Sequence, residues 1–224
     1  MWKEDGTEDG VVENGKLIAL EGIDGSGKSI QAQRLARRLK EEGIACYATM
    51  EPTARPIGSL IRQVLRGEMQ MEPQVFATLF AADRLDHLLN GEDGLAEKVA
   101  QGVTVVTDRY YFSSYAYHSV DMPIEQVIQA NALSSSILRP ALTVFIDVEP
   151  GTAMERIKKN RERQELFEKK SRLVQVREKY FEAFAMLKEE EKVAIVDGSG
   201  SVDQVAEQIW REVRAVLFGN YLVQ

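Results

Sequence analysis

Near the start of the chain, Gly22-Ile23-Asp24-Gly25-Ser26-Gly27-Lys28-Ser29 has the types and spacing G-x-x-x-x-G-K-S that hold a chain of phosphates. Glycines let backbone N–H groups curl around phosphate oxygens, and a helix opening at the lysine adds the favourable end of its dipole. Lys28 is spaced to reach β- and γ-phosphates, and the Ser29 hydroxyl to ligate a divalent cation. Such a cation needs a second acid. Asp108 follows the β-branched run 103–107, where the carboxyl end of a strand would place a carboxylate beside the loop. Asp in such a place also serves as a turn cap, and its position favours the metal role. No N-K-x-D guanine-reading motif is present, and no D-x-x-G follows a strand where a GTPase switch would place it, which lowers a GTPase reading.

These residues need a frame. The run 17–20 reads as a buried strand before the loop, and Ala32, Leu35, Ala36 and Leu39 give residues 29–42 a helical period that ends at Gly43. Residues 45–50 form a second strand halted by Pro52, and helical segments follow at 57–66 and 73–100, the latter broken near Asn90-Gly91. Strands at 103–107, 142–148 and 193–196 alternate with long helical patterns, and an amphipathic helix spans 202–217. This alternation predicts βαβ crossovers, a mostly parallel sheet with helices on both faces, and ligands beyond the carboxyl ends of the strands.

The whole of 224 residues fits one medium domain, read as 16–224, after an acidic, aperiodic and flexible extension at 1–15. A net charge of −7 argues against a nucleic-acid polymer as partner but not against a nucleotide held by a few local cations. The lone Cys46 excludes an internal disulfide and reads as a buried thiol in a reducing cytoplasm. No apolar run reaches the length of a membrane span, and the acidic start is unlike a signal peptide.

Five segments, in order, resemble the thymidylate kinases: Glu21 to Ser29; Glu51-Pro52-Thr53 with Pro56-Ile57-Gly58; Leu79-Phe80-Ala81-Ala82-Asp83-Arg84; Asp108-Arg109-Tyr110 with Ser113-Ser114 and Ala116-Tyr117; and Arg139-Pro140-Ala141-Leu142-Thr143 leading to Ile146-Asp147-Val148. The resemblance implies a P-loop kinase fold, an α/β/α sandwich with a five-stranded parallel sheet and a short helical lid. It also implies a homodimer on the helices between Ile57 and Ala100, and ATP, Mg²⁺ and dTMP as ligands. Arg109 would hold the acceptor phosphate, a dianion that arginine grips bidentately. Phe80 would stack on thymine, Arg84 bond its edge, Arg62 add a base contact, and Ser114 and Tyr117 line base and sugar. Asp24 and Glu51 would complete the acceptor side. Without the family pattern, Phe80 reads as plain core, and Arg62 and Arg84 as solvated arginines paired with Asp83 or Asp86.

The segment 154–170 carries Arg156, Lys158, Lys159, Arg161, Arg163, Lys169 and Lys170 and matches the lid of that family. Because Gly25 and Ser26 leave the P-loop without an arginine, Arg156 and Arg161 are the candidates for the catalytic lid arginine. The chain departs from the family at Met50, where arginine is usual, and at Ile30, which leaves only a backbone N–H for the α-phosphate. His118 stands in place of a glutamine, and Leu166-Phe167-Glu168 lacks an arginine. These departures keep two alternatives open: a related kinase with another nucleotide acceptor, and an ATP-binding regulatory protein without turnover.

Overall fold

The computed structural model describes residues 15–160 and 169–219. Its centre is a five-stranded sheet in the order β2-β3-β1-β4-β5, every pairing parallel. The strands are β1 (Leu17–Glu21), β2 (Cys46–Met50), β3 (Thr104–Asp108), β4 (Leu142–Asp147) and β5 (Val193–Asp197). The three inner strands are apolar and almost wholly buried, as strands covered on both faces must be. Cys46, on the edge strand, is half-buried rather than buried, and burial pushes its thiol up to about 11.

On one face α1 (Lys28–Glu41) packs against α9 (Val202–Phe218). The other face is led by α5 (Tyr111–His118) and α8 (Lys170–Met186), joined through an aromatic cluster in which Phe145 of β4 meets Tyr180 and Phe184. Outside it lie α2 (Pro56–Leu65), α3 (Pro73–Leu89) and α6 (Ile124–Ile137). The helical pattern at 73–100 resolves into α3 and α4 (Leu95–Ala100). Asn90 makes the break: its backbone turns extended, and its side-chain oxygen accepts the N–H groups of Glu92 and Asp93. Helix α7 (Pro150–Asn160) carries the first part of the expected lid, and Arg161 with the rest of 161–168 lies outside the described residues.

Register carries the site. Leu20 and Met50 both sit beside Asp108, and Asp147 beside Asp197, so the strands finish together at one edge of the sheet.

Candidate functional site

Along that edge runs one continuous cleft of about 740 Å³. Gly25 to Ile30 form its middle. Gly27, at φ 95, caps α1 in the left-handed region and has open space where a side chain would start. Gly25, at φ 82, is tighter, because an added Cβ would lie 2.4 Å from the Ala153 carbonyl oxygen of α7. Gly22 and Ile23 shape the loop from behind and do not line the cleft; Ile23 is fully buried.

Lys28 is 6% exposed, and its ammonium donates to the Ile23 carbonyl at 2.9 Å. Burial first, and then the charge of Arg109, pull its pKa down to about 8, against Asp108, Asp24 and Glu21. The Ser29 hydroxyl donates to Asp108 Oδ2, while Asp108 Oδ1 is buried with no hydrogen-bond partner among the described residues. A hydroxyl beside a carboxylate with an orphaned oxygen fits Mg²⁺, a hard cation that takes oxygen ligands and keeps much of its water. No cluster of three or more acidic, His or Cys side chains exists among the described residues, as expected if phosphates and water complete the shell.

Arg109 adopts φ 75, a strained conformation for a residue with a side chain. One guanidinium nitrogen reaches Asp24 of the P-loop, and the other donates to the Ser113 hydroxyl at 2.9 Å. Tyr117 lies under it, 4.9 Å from ring centre to guanidinium carbon, and its hydroxyl donates to Asp24 Oδ2 at 2.9 Å. The glycine-rich loop is thus joined through Asp24 to a guanidinium with the chemistry to grip an anion.

Beyond Arg109 the cleft opens between Pro52, Arg62, Leu65, Arg66, Phe80 and His118. The Arg62 guanidinium donates to the Pro52 carbonyl at 2.8 Å. Phe80 and His118 face each other with ring centres 5.0 Å apart, and Phe76 backs both. Burial first, with the nearby charges of Arg84 and Arg172, pulls the imidazole down to about 3, so it is neutral near pH 7. Glu51, Ser114 and the exposed Met50 also line the cleft.

Arg84 departs from both sequence expectations. It is 1% exposed, so it is no solvated surface arginine, and it does not line the cleft. Its guanidinium pairs with Glu51 at 2.8 Å and donates to Ser114, Asn131 and the Tyr110 carbonyl, which leaves no face for a base edge. Asp86 pairs instead with Arg55, and Asp83 accepts from Thr53. At the other end, Arg156 lines the cleft and donates to the Gly198 carbonyl at 3.0 Å, joining the loop at 198–201 that leads into α9. Gln31 and Val205 complete that wall. Sequence reasoning missed Gln31 and Arg66 among the lining residues and quoted Ser113 without giving it a role. Nor did it find Asn131 behind Arg84, or Arg177, which grips Asp147 bidentately at 2.7 and 2.8 Å. Only spacing from the loop and the strand ends could have flagged Gln31 and given Ser113 a role; the others carry no local signal.

Comparison with known proteins is consistent across lineages. The family model described as thymidylate kinase matches residues 20–209. A probable thymidylate kinase of Pyrobaculum calidifontis is 42% identical over 166 residues, 73% of this chain and 80% of its own length. One of Methanocaldococcus jannaschii is 34% identical over 86% of this chain and 93% of its own. The thymidylate kinase of Symbiobacterium thermophilum is 34% identical over 90% and 94%.

Proposed function

The chain belongs to the thymidylate kinase family, and from that premise we propose how its residues divide the work of moving the ATP γ-phosphate to dTMP, giving ADP and dTDP. An oxygen of the dTMP phosphate attacks the γ-phosphorus while the bond to ADP breaks; that oxygen is already ionised at neutral pH, so no general base is required. Residues 22–30 and Lys28 hold the triphosphate, Arg109 holds the acceptor phosphate in line, and Ser29 with Asp108 hold Mg²⁺. Bound there, Mg²⁺ neutralises charge on the β- and γ-phosphates. Phe80 stacks on the base, and the His118 imidazole, in contact with the Phe80 ring, hydrogen-bonds it, with Arg62, Ser114, Tyr117, Asp24 and Glu51 around it, and Arg84 supports Glu51 and Ser114 from behind. Arg156 or Arg161 brings the last positive charge. The single observation that carries this reading is one cleft holding both a phosphate loop and, bonded to it through Asp24, a strained arginine.

Residues 16–224 are taken as one catalytic domain after the extension at 1–15. A homodimer is supported by apolar side chains left exposed on α3 and α6: Val75, Leu89 and Leu133. Sedimentation at micromolar concentration tests it. No helix among the described residues is long and apolar enough to cross a membrane; a cytoplasmic site of action is proposed from the lone cysteine, a usage suited to a reducing compartment.

ADP production from ATP–Mg²⁺ with dTMP, dUMP, UMP, CMP, AMP and GMP in parallel tests the assignment. Preference for dTMP is expected, and Arg109→Ala should cut turnover more than tenfold while leaving ATP affinity nearly unchanged. The exposed Met50 and the neutral His118 favour a second reading, a kinase with a different acceptor. Preference for another monophosphate would establish it, and tight ATP binding with no turnover on any of them would indicate a binding protein.

A further inference from the structure

Glu21 closes β1 as a carboxylate with no solvent exposure, in the strand that feeds the phosphate loop. A charge so far from water is tolerated only when its lone pairs are filled. Both oxygens are filled, and largely from one place. Oε1 accepts the N–H of Tyr110 at 2.8 Å and of Ser113 at 3.1 Å; Oε2 accepts the Ser113 hydroxyl at 2.5 Å and the Tyr180 hydroxyl at 2.8 Å.

The donors bracket Arg109. Its own N–H goes to the carbonyl of Leu20, the residue before Glu21, so two consecutive residues of β1 clamp the backbone on either side of the φ 75 turn. The same Ser113 hydroxyl that donates to Glu21 accepts from the Arg109 guanidinium at 2.9 Å. Backbone conformation and side-chain direction of Arg109 therefore lead back to one buried carboxylate.

We infer that Glu21 is the positioning residue of the acceptor-phosphate arginine, acting through the Tyr110 N–H and the Ser113 hydroxyl without touching substrate. The inference rests on the reading of Arg109 given above. It separates Glu21 from the donor loop that it adjoins in sequence: its loss should be felt in the acceptor half-site.

The test is steady-state kinetics of Glu21→Gln, Ser113→Ala, their double variant and Arg109→Ala. Glu21→Gln keeps the size and one acceptor oxygen but turns an amide N–H₂ toward two hydroxyls. Its kcat/KM for dTMP should fall at least tenfold while KM for ATP stays within twofold. Ser113→Ala, which keeps the buried carboxyl and three of its four hydrogen bonds, should show the same selective loss, smaller in size. The double variant should be no worse than Glu21→Gln alone, because both act through one hydroxyl. Should Glu21→Gln fail to fold, Ser113→Ala decides alone. Equal losses toward ATP and dTMP, or unchanged dTMP kinetics in Ser113→Ala, would overturn the proposal. If Arg109→Ala loses dTMP turnover while the Glu21 and Ser113 variants do not, only the positioning role fails. If Arg109→Ala is itself unaffected, the reading of Arg109 fails first.

Discussion

The two ends of the cleft are built by different means. At the donor end, contiguous residues curl one stretch of backbone, and glycine conformations define the shape. At the acceptor end, side chains from the P-loop, β2, β3, α2, α3 and α5 converge, held by a buried ion pair and its hydrogen bonds. A backbone cradle recognises phosphate in any nucleotide, whereas a side-chain cradle can be retuned position by position. The departure in the backbone cradle, Ile30, still leaves its N–H for a phosphate, whereas those in the side-chain cradle, Met50 and His118, change the groups that face the acceptor.

The contrast can be broken by substitution. Glu51→Ala should have the largest effect: it leaves the Arg84 guanidinium buried without its counter-charge, a loss of about 3–5 kcal/mol read by urea denaturation. Met50→Arg should place a guanidinium at the cleft beside Asp108 and tighten dTMP by about tenfold or more, the effect of one charge-assisted bond. No change in KM for dTMP would show that position 50 lies out of the acceptor's reach. On the donor side, Gly25→Ala should cost more than Gly27→Ala. Both demand a left-handed backbone, at about 1–2 kcal/mol, but only Gly25 drives its new methyl into the α7 backbone. Equal losses in thermal melts would mean that conformation alone matters there. Least affected should be Arg34→Ala, whose pair with the largely exposed Asp203 is worth less than about 1 kcal/mol. A loss there matching Glu51→Ala would deny that burial separates the two kinds of ion pair.

The same contrast governed what could be read in advance. The phosphate loop, its flanking strand and helix, and Asp108 follow from local spacing, because a cradle made of consecutive backbone leaves its mark in consecutive letters. The five strands were readable for a similar reason, as apolar runs between turns. Arg84 was not: its partners Glu51, Tyr110 and Asn131 lie 26 to 47 residues away, and nothing in α3 alone distinguishes a solvated arginine from a fully buried one. Glu21 looked like a letter of the loop motif, yet its contacts come from residues 89 to 159 positions on. The cluster at Phe80 and His118 needed family likeness to be noticed at all, since an aromatic on an apolar helix face is most simply core.

If Lys28 holds the triphosphate as proposed, nucleotide binding becomes a proton-linked event. The Lys28 pKa of about 8 lies below that of a free lysine near 10.5, so between those values an unfolded chain carries a proton that the folded one has released. Stability contributed by this group therefore rises with pH across that interval, because the unfolded state binds more protons there. Phosphates laid against the ammonium act in the opposite sense, raising its pKa and drawing a proton from the buffer. Calorimetric titrations of ATP near pH 8 should then give heats that change with the buffer's ionisation enthalpy, and at pH 6.5, where Lys28 is already charged, this dependence should fade. Above pH 8 the affinity for ATP should decline even as the contribution of Lys28 itself to folding stability increases.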